Sequence, residues 1–112
     1  MAACIFCRIA AGELGTELLL ADDQVVAFRD LNPQSPVHAL VIPRRHMASL
    51  NDADDDAVLG RVLSAAREVA VQLGVAQSGY RVVLNTGAHG GQSVFHLHAH
   101  VLGGRPLGWP PG

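Results

Sequence analysis

The sequence has few charged and few aromatic side chains: of its 112 residues, 16% are charged and 4% aromatic, and the formal net charge is −2. Proteins that bind nucleic acid regardless of its sequence carry a basic patch, so this balance argues against such a partner. No apolar run approaches the ~20 residues that cross a bilayer as a helix. A signal peptide, with its basic segment and long apolar block, is not recognisable either. We therefore expect a cytoplasmic protein without a membrane partner.

Internal repeats and low-complexity linkers are also lacking. The length is typical of a chain with one core, and we predict a single domain over residues 1–112. Hydrophobic residues make up 49% of the sequence, a high share for a small protein. This share predicts that a second copy of the chain covers part of the apolar surface.

Five apolar segments separated by turn signals predict five strands, at residues 16–21, 24–30, 38–43, 80–86 and 94–104. A further apolar segment before these five, at 4–14, predicts a short helix that stops at Gly12. Because strands outnumber long helices and most connections are short, we expect an α+β fold. It would contain a five-stranded antiparallel sheet with one long helix on a face.

The long helix is predicted from apolar residues that recur at steps of three and four: Leu59, Val62, Leu63, Ala66, Val69, Ala70 and Leu73. Asn51 and Asp52 are the candidates for its N-terminal cap, and Gly74 follows its last apolar residue. Three consecutive aspartates at 54–56 suit the positive end of a helix. We therefore predict that this acidic run is a solvated first turn rather than a metal site.

The two cysteines, Cys4 and Cys7, form a C-x-x-C motif. A structural disulfide is not expected in a reducing compartment. A thioredoxin-like redox motif lies between a strand and a helix, and no strand precedes this one. From the spacing alone, burial, redox chemistry and zinc binding remain open.

Three of the six histidines, His96, His98 and His100, alternate with apolar residues in the last predicted strand. Side chains alternate across a strand, so we expect the imidazoles on one face. The opposite face, beneath the helix, would carry Phe95, Leu97, Ala99 and Val101. Same-face neighbours lie ~6.5–7 Å apart at Cα, so one zinc ion with bonds near ~2 Å cannot readily collect all three rings. Two of the three can share a metal with ligands from elsewhere.

Another interpretation is that the middle imidazole, His98, is a nucleophile, with one nitrogen hydrogen-bonded and the other free. The preceding loop favours this interpretation, since Gly90 and Gly91 let backbone N–H groups approach an anion. Ser93 and Asn85 add polar groups nearby. Together these residues suit phosphate oxygens without a Walker-type lysine. A strand that merely exposes three polar residues to solvent is the remaining alternative.

The segment HLHAHVL has the pattern His-x-His-x-His followed by two apolar residues, and by this pattern the chain resembles the histidine triad (HIT) superfamily. The segments CIFCRIAAGE, FRDLNPQSPVHALVIPRRH, GYRVVLNTGAHGGQSVFHLHAHVLGG and WPPG are similar to the Hint branch, the histidine triad nucleotide-binding proteins. The resemblance implies a hydrolase that cleaves the P–N bond of purine nucleoside 5′-phosphoramidates, adenosine phosphoramidate among them, and also acts on aminoacyl-adenylates, releasing AMP. The alternative is a nucleotide-binding regulatory or interaction protein with vestigial hydrolysis.

The resemblance also implies residue roles. His98 matches the nucleophile that attacks the α-phosphorus and forms a nucleotidyl-histidine intermediate. Ser93, Asn85 and His100 match residues at the phosphate or the leaving amine, and His38 matches a histidine that supports the triad. Asp30 matches the carboxylate that holds the ribose hydroxyls. The other implied nucleotide-binding positions are Leu31, Gly91, Gln92 and Val94, together with the apolar base pocket of Ile5, Phe6, Ile9, Leu14 and Phe28.

Some relatives with CIFC at this place bind zinc through both cysteines and two histidines, which here are Cys4, Cys7, His46 and His96. A Cys₂His₂ set is chemically right for a closed structural zinc site. Members of the branch that lack the cysteines need no metal, so the resemblance implies none for catalysis. It further implies a homodimer with a ten-stranded sheet, in which Trp109 lines the leaving-group side of the partner's pocket.

Overall fold

The computed structural model describes residues 4–112 and contains two α-helices and five strands. In chain order these are α1 (Ile5–Ala10), β1 (Leu20–Ala21), β2 (Val25–Arg29), β3 (Val37–Pro43), α2 (Asp56–Gln72), β4 (Tyr80–Val83) and β5 (Ala99–Gly103). The strands form one sheet in the order β1-β2-β3-β5-β4, and every neighbouring pair is antiparallel. The predicted α+β class, the five-stranded sheet and the two helices are confirmed.

Alternate side chains of β2 and β3 point to opposite faces of the sheet, and each face is covered by one helix. On one face, α2 packs on Val25, Ala27, Ala39 and Val41, and on Ala99 and Val101 of β5. On the other face, α1 places Phe6 and Ile9 against Val26, Phe28, Leu40 and Ile42. Complete burial of one valine or isoleucine stabilises the fold by about 1.5–3 kcal/mol. The central strands therefore supply much of the hydrophobic stabilisation.

A side chain from the end of β3 holds α1 against the sheet. Arg44 donates from Nη1 to the carbonyl oxygen of Ala10 at 2.7 Å and from Nε to that of Asp22 at 2.6 Å. The first carbonyl lies at the C-terminus of α1 and the second in the turn between β1 and β2. These bonds satisfy acceptors that the ends of the elements leave free. The short helix is thus fixed although it has fewer than two turns.

The N-terminal cap predicted for the long helix is wrong. Asn51 and Asp52 belong to a separate turn of 3-10 helix, Leu50–Asp52. The cap of α2 is Asp55, whose Oδ1 accepts from the amides of Ala57 and Val58 at 3.0 and 3.2 Å. The acidic run does form the start of the helix, as predicted. Leu63 was expected to face the core but is 54% exposed, while Ala65 is fully buried, because the helix presents the small residues to the sheet.

Three strands are much shorter than predicted, and one of them is β4, which ends at Val83 rather than at residue 86. The pairing of β1 covers only Leu20–Ala21, and β5 begins at Ala99, so His96 and His98 precede the regular strand. The ladder between β3 and β5 ends because Pro43 has no amide proton, while its carbonyl accepts from the His96 ring instead. Leu97, Ala99 and Val101 are buried beneath α2 as expected, but Phe95 is 59% exposed. Within residues 4–112, no helix combines the length and apolarity needed to cross a membrane.

Candidate active site and metal centre

A cavity of about 750 Å³ opens between α1, β2 and the histidine segment. Twelve residues expected at a nucleotide site line it: Ile5, Phe6, Ile9, Leu14, Phe28, Asp30, Leu31, His38, Ser93, Val94, His98 and His100. Its lining therefore combines an apolar wall with a group of imidazole, hydroxyl and carboxylate side chains. This mixture can accept a ligand that has a flat apolar part and a charged part.

His98 has one defined tautomer. Its Nδ1 lies 2.7 Å from the carbonyl oxygen of His96, and because a carbonyl only accepts, Nδ1 carries the proton. The neutral ring then has its lone pair on Nε2. Phe6 packs its edge against the ring, with 5.2 Å between centroids, and the side chain is buried. The ring is thus held rigidly with an unprotonated nitrogen, the arrangement that a nucleophile requires.

The tautomer of His100 follows from a chain of hydrogen bonds. The backbone amide of Gln34 donates to His38 Nδ1 at 3.0 Å, so that nitrogen is unprotonated and the His38 proton lies on Nε2. His38 Nε2 lies 2.9 Å from His100 Nδ1 and donates to it. The neutral His100 ring therefore carries its proton on Nε2. His100 is a hydrogen-bond donor beside the lone pair of His98, with 4.9 Å between the two ring centroids.

His38 and His100 are uncharged at neutral pH. Burial, together with the neighbouring imidazoles of His98 and His38, lowers the pKa of His100 to about 4, and Asp30 opposes this shift only in part. Burial also lowers the pKa of His38, and this is only partly opposed by Asp30, whose Oδ2 is 3.4 Å from Nε2. The contact between Asp30 and His38 is therefore one of a carboxylate with a neutral ring, not an ion pair. The tautomers, rather than the net charge, decide what these histidines can do.

Asp30 is held in a fixed orientation next to this group. Its Oδ1 accepts from the amide of Asn32 at 2.8 Å, which forms a turn immediately after β2. Both carboxylate oxygens retain lone pairs that can accept from a ligand. The next residue, Leu31, is fully exposed and lies at the rim of the cavity. A ligand with paired hydroxyl groups finds acceptors at Asp30.

The glycine-rich loop differs from the expectation that its amides face an anion. The amides of Gly91 and Gln92 donate within the loop, to the carbonyls of Ala88 and Gly87, each at 3.1 Å. Gly90 is needed for a different reason than expected, since a Cβ there would lie 2.4 Å from the carbonyl oxygen of Thr86. Ser93 and Val94 follow Gln92, and across residues 4–112 no protein acceptor is found for their amides. These amides and the Ser93 hydroxyl remain available at the cavity.

Three residues predicted for the chain's own nucleotide site do not line this cavity: Asn85, Gly91 and Gln92. Trp109, which was predicted to line the partner's cavity, does not line this one. Asn85 is half-buried just beyond β4, and Trp109 is 83% exposed near the C-terminus. The cavity also includes residues that the sequence analysis missed, among them Gln34, Asn32 and Glu17. Gln34 and Asn32 follow Asp30 in the DLNPQSP loop, and that proximity was the available signal. Glu17 lies in the predicted strand 16–21 but precedes the regular part of β1, and no motif in the sequence marked it as a site residue.

The predicted metal ligands lie together next to the cavity. The ligand atoms of Cys4, Cys7, His46 and His96 are all within 4.8 Å of one another. The distance from Cys4 Sγ to His96 Nδ1 is 3.3 Å, and Cys7 Sγ lies 3.3 Å from His46 Nδ1 and 3.5 Å from His96 Nδ1. Zinc bonds of ~2.0–2.3 Å in a tetrahedron separate the ligand atoms by ~3.3–3.8 Å. This cluster can therefore hold a metal ion.

The protonation of His96 suits that use. Its Nε2 lies 2.8 Å from the carbonyl oxygen of Pro43 and must carry the proton, so Nδ1 directs its lone pair at the two sulfurs. Burial lowers the pKa of His96, which keeps the ring neutral as a ligand requires. Burial raises the pKa of the Cys7 thiol, aided by the nearby Cys4, so without a cation Cys7 stays protonated. The site thus offers a closed set of two sulfur and two nitrogen donors.

A second group with metal-ligand spacing does not pass the same test. Asp30, His38 and His100 have ligand atoms close enough to share an ion. The nitrogen of His38 that faces the other two, Nε2, carries a proton because the amide of Gln34 occupies Nδ1. A metal ion could bind Nε2 only if the proton moved to Nδ1. There the proton would point at the amide N–H of Gln34. The group is therefore a hydrogen-bond chain.

Comparison with known proteins identifies relatives that cover most of the chain. A family model for the HIT domain matches residues 11–107. The chain is 46% identical over 106 residues to the purine nucleoside phosphoramidase of Escherichia coli K12, covering 93% of this chain and 89% of that protein. It is 48% identical over 110 residues to an uncharacterised HIT-like protein of Synechocystis, covering 96% of both. The crystal structure of a HIT family hydrolase from Legionella pneumophila superposes with a TM-score of 0.93 at 45% identity, covering 97% of this chain and 99% of that one.

Proposed function

The chain belongs to the HIT domain family, and on that premise we propose that it hydrolyses the P–N bond of purine nucleoside 5′-phosphoramidates. It also hydrolyses aminoacyl-adenylates, and the adenosine substrates yield AMP. The Escherichia coli relative named a purine nucleoside phosphoramidase supports this reaction class. The observation that carries the proposal is the pairing of two imidazoles with opposite tautomers. His98 presents a lone pair on Nε2, and His100 presents a proton on Nε2 beside it.

In the proposed mechanism, His98 Nε2 attacks the α-phosphorus while the P–N bond to the amine breaks. The new bond leaves a positive charge on the His98 ring, which is stabilised by the hydrogen bond from Nδ1–H to the His96 carbonyl. His100 Nε2–H donates to the reacting group as its charge changes. Water then attacks the phosphorus and releases His98. Over the full cycle, the hydroxyl of one water molecule ends on AMP and its other proton ends on the amine.

The remaining cavity residues suit the other parts of a nucleotide. The hydroxyl of Ser93 and the amides of Ser93 and Val94 are the proposed donors to the phosphate oxygens. Asp30 is the proposed acceptor for the ribose hydroxyls. The base would lie against the apolar wall formed by Ile5, Phe6, Ile9, Leu14 and Phe28, with Leu31 at the rim. Since few polar groups face the base, adenine and guanine should both be accepted.

The test of the reaction is release of AMP from adenosine 5′-phosphoramidate by the wild-type chain. We expect turnover with kcat/KM of at least ~10⁴ M⁻¹s⁻¹, the lower end for enzymes on their own substrates. Adenosine 5′-O-methyl phosphate, whose leaving group is poorer, is the matched control and should react far more slowly. If AMP binds but the phosphoramidate is hydrolysed no faster than in buffer alone, the chain is a nucleotide-binding protein without this activity.

Replacement of Asp30 tests the ribose contact. Asp30→Asn retains the oxygen that accepts from Asn32 but removes the charge, and AMP should bind roughly 10- to 100-fold more weakly. Calorimetry with AMP measures this, and 2′,3′-dideoxy-AMP serves as the control because it has no hydroxyls to lose. An equal loss for both ligands would show that Asp30 does not read the ribose.

We also propose a structural zinc ion at Cys4, Cys7, His46 and His96, and a homodimer. The zinc proposal rests on the donor set and on the orientation of His96 described above. For the dimer, the support is apolar surface on one helix, since Leu63 and Val71 of α2 are both more than half exposed. In such a dimer, Trp109 of one protomer would lie at the leaving-group side of its partner's cavity.

A further inference from the structure

Gln92 is a buried amide whose polar atoms are all used by backbone groups. The side chain is 8% exposed. Its Oε1 accepts from the amide of Gly87 at 3.0 Å, and its Nε2 donates to the carbonyls of Ala48 and Val94 at 2.7 and 3.1 Å. A planar group with one acceptor and two donors is required, which only a primary amide supplies. The expected contact of Gln92 with a nucleotide is replaced by this set of bonds.

The three partners belong to segments that the sheet does not connect. Gly87 opens the loop after β4, Ala48 lies beyond the end of β3, and Val94 is part of the cavity wall. One further backbone bond, from the amide of Leu97 to the carbonyl of Met47 at 2.7 Å, joins two of these segments. The Gln92 side chain thus supplies cross-links that regular secondary structure does not.

These bonds, which we call the Gln92 clamp, hold the two peptide units that contain the amides of Ser93 and Val94. One end of the stretch is Gln92 itself, whose own amide donates to Gly87. The other end is the Val94 carbonyl, held by Gln92 Nε2. Between these points lie the amides of Ser93 and Val94, the donors assigned to the phosphate. Their direction is therefore set by the Gln92 side chain.

We propose that Gln92 is a positioning residue for the reaction. It does not contact the substrate but orients the backbone amides of Ser93 and Val94 toward the phosphate. This inference rests on the proposed function. Misplacement of about 1 Å at a reacting centre costs roughly 100-fold in rate. Loss of the clamp should therefore act on the phosphate and the rate, and leave the binding of the nucleoside part unchanged.

The variant Gln92→Glu keeps the shape and the acceptor but removes both donors, and it places a charge beside two carbonyls. At pH 7.5 we expect kcat for adenosine 5′-phosphoramidate to fall about 100-fold, with KM changing by less than about threefold. AMP should bind more weakly while adenosine binds as before. At pH 5.5 the ratio of variant to wild-type kcat should recover in part, because a protonated carboxyl regains one donor. The matched control is Gln77→Glu, the same change at an exposed site outside the cavity.

Gln92→Met, of similar length but without any hydrogen bond, should show the same loss without recovery at low pH. The proposal is overturned if kcat is unchanged in these variants, if AMP and adenosine lose affinity equally, or if neither variant folds by circular dichroism. If the wild type itself releases no AMP, the proposed reaction fails. The difference between AMP and adenosine binding then still decides the role of Gln92.

Discussion

His98→Ala should reduce the release of AMP from adenosine 5′-phosphoramidate by roughly 10⁴- to 10⁶-fold in kcat, the range seen when a covalent nucleophile is removed. The alternative imidazole cannot substitute, since His100 is neutral and carries its proton on the nitrogen that would have to attack. AMP should still bind, because the proposed contacts at Asp30 and Ser93 remain. A rapid-quench assay of AMP formation, with AMP affinity measured in parallel, checks both expectations.

The matched control for this variant is His89→Ala, which removes an exposed imidazole that lies in the glycine-rich loop and does not line the cavity. Its activity should equal that of the wild type. Retention of a tenth or more of the activity in His98→Ala would place the nucleophile elsewhere. Equally slow hydrolysis by the wild type and His98→Ala would favour the nucleotide-binding alternative.

The second large effect is expected at the cysteine cluster. The chain purified without a metal-affinity tag should contain about one equivalent of zinc, and Cys7→Ala should contain less than about a tenth, because a closed site needs four ligands. A tightly bound ion stabilises the native state by about 3–4 kcal/mol when it exceeds its Kd by 100- to 1,000-fold. The melting temperature should therefore fall by roughly 13–17 °C in the variant. Elemental analysis and thermal unfolding measure the two quantities.

A chelator gives the internal control for this prediction. It should lower the melting temperature of the wild type toward that of Cys7→Ala and should leave the variant unchanged. Less than about a tenth of an equivalent of zinc in the wild type, together with a melting temperature insensitive to chelator, would mean that the cluster is four packed side chains and no more.

Local patterns predicted the elements well where one physical signal dominates. The apolar segments that predicted β2 and β3 are buried strands, and the helical spacing around Val62, Val69 and Ala70 corresponds to a buried face of α2. The errors fall where two signals compete. Several aspartates and asparagines can cap α2, and only the path of the preceding turn selects Asp55. Phe95 continues the alternation of β5 but is exposed, because the strand pairing has ended before it.

The sequence alone was sufficient to predict which side chains lie together at the candidate sites. A histidine at every second position, a C-x-x-C motif and the DLNPQSP segment each combine functional side chains at short range, and short-range spacing survives folding. Twelve of the predicted nucleotide-site residues line one cavity, and the four predicted metal ligands form one cluster.

Tertiary structure alone decided what state those residues adopt. The proton of His100 is placed by the amide of Gln34 through His38, and the lone pair of His96 by the carbonyl of Pro43. The position of the Gln92 side chain beside Ser93 and Val94 depends on the carbonyl of Ala48. These partners are backbone groups left unpaired where strands and turns end, and sheet register determines which ones they are. A backbone amide or carbonyl has no side-chain signature, and for that reason the sequence determines which side chains are at the candidate sites while the fold determines their tautomers and orientations.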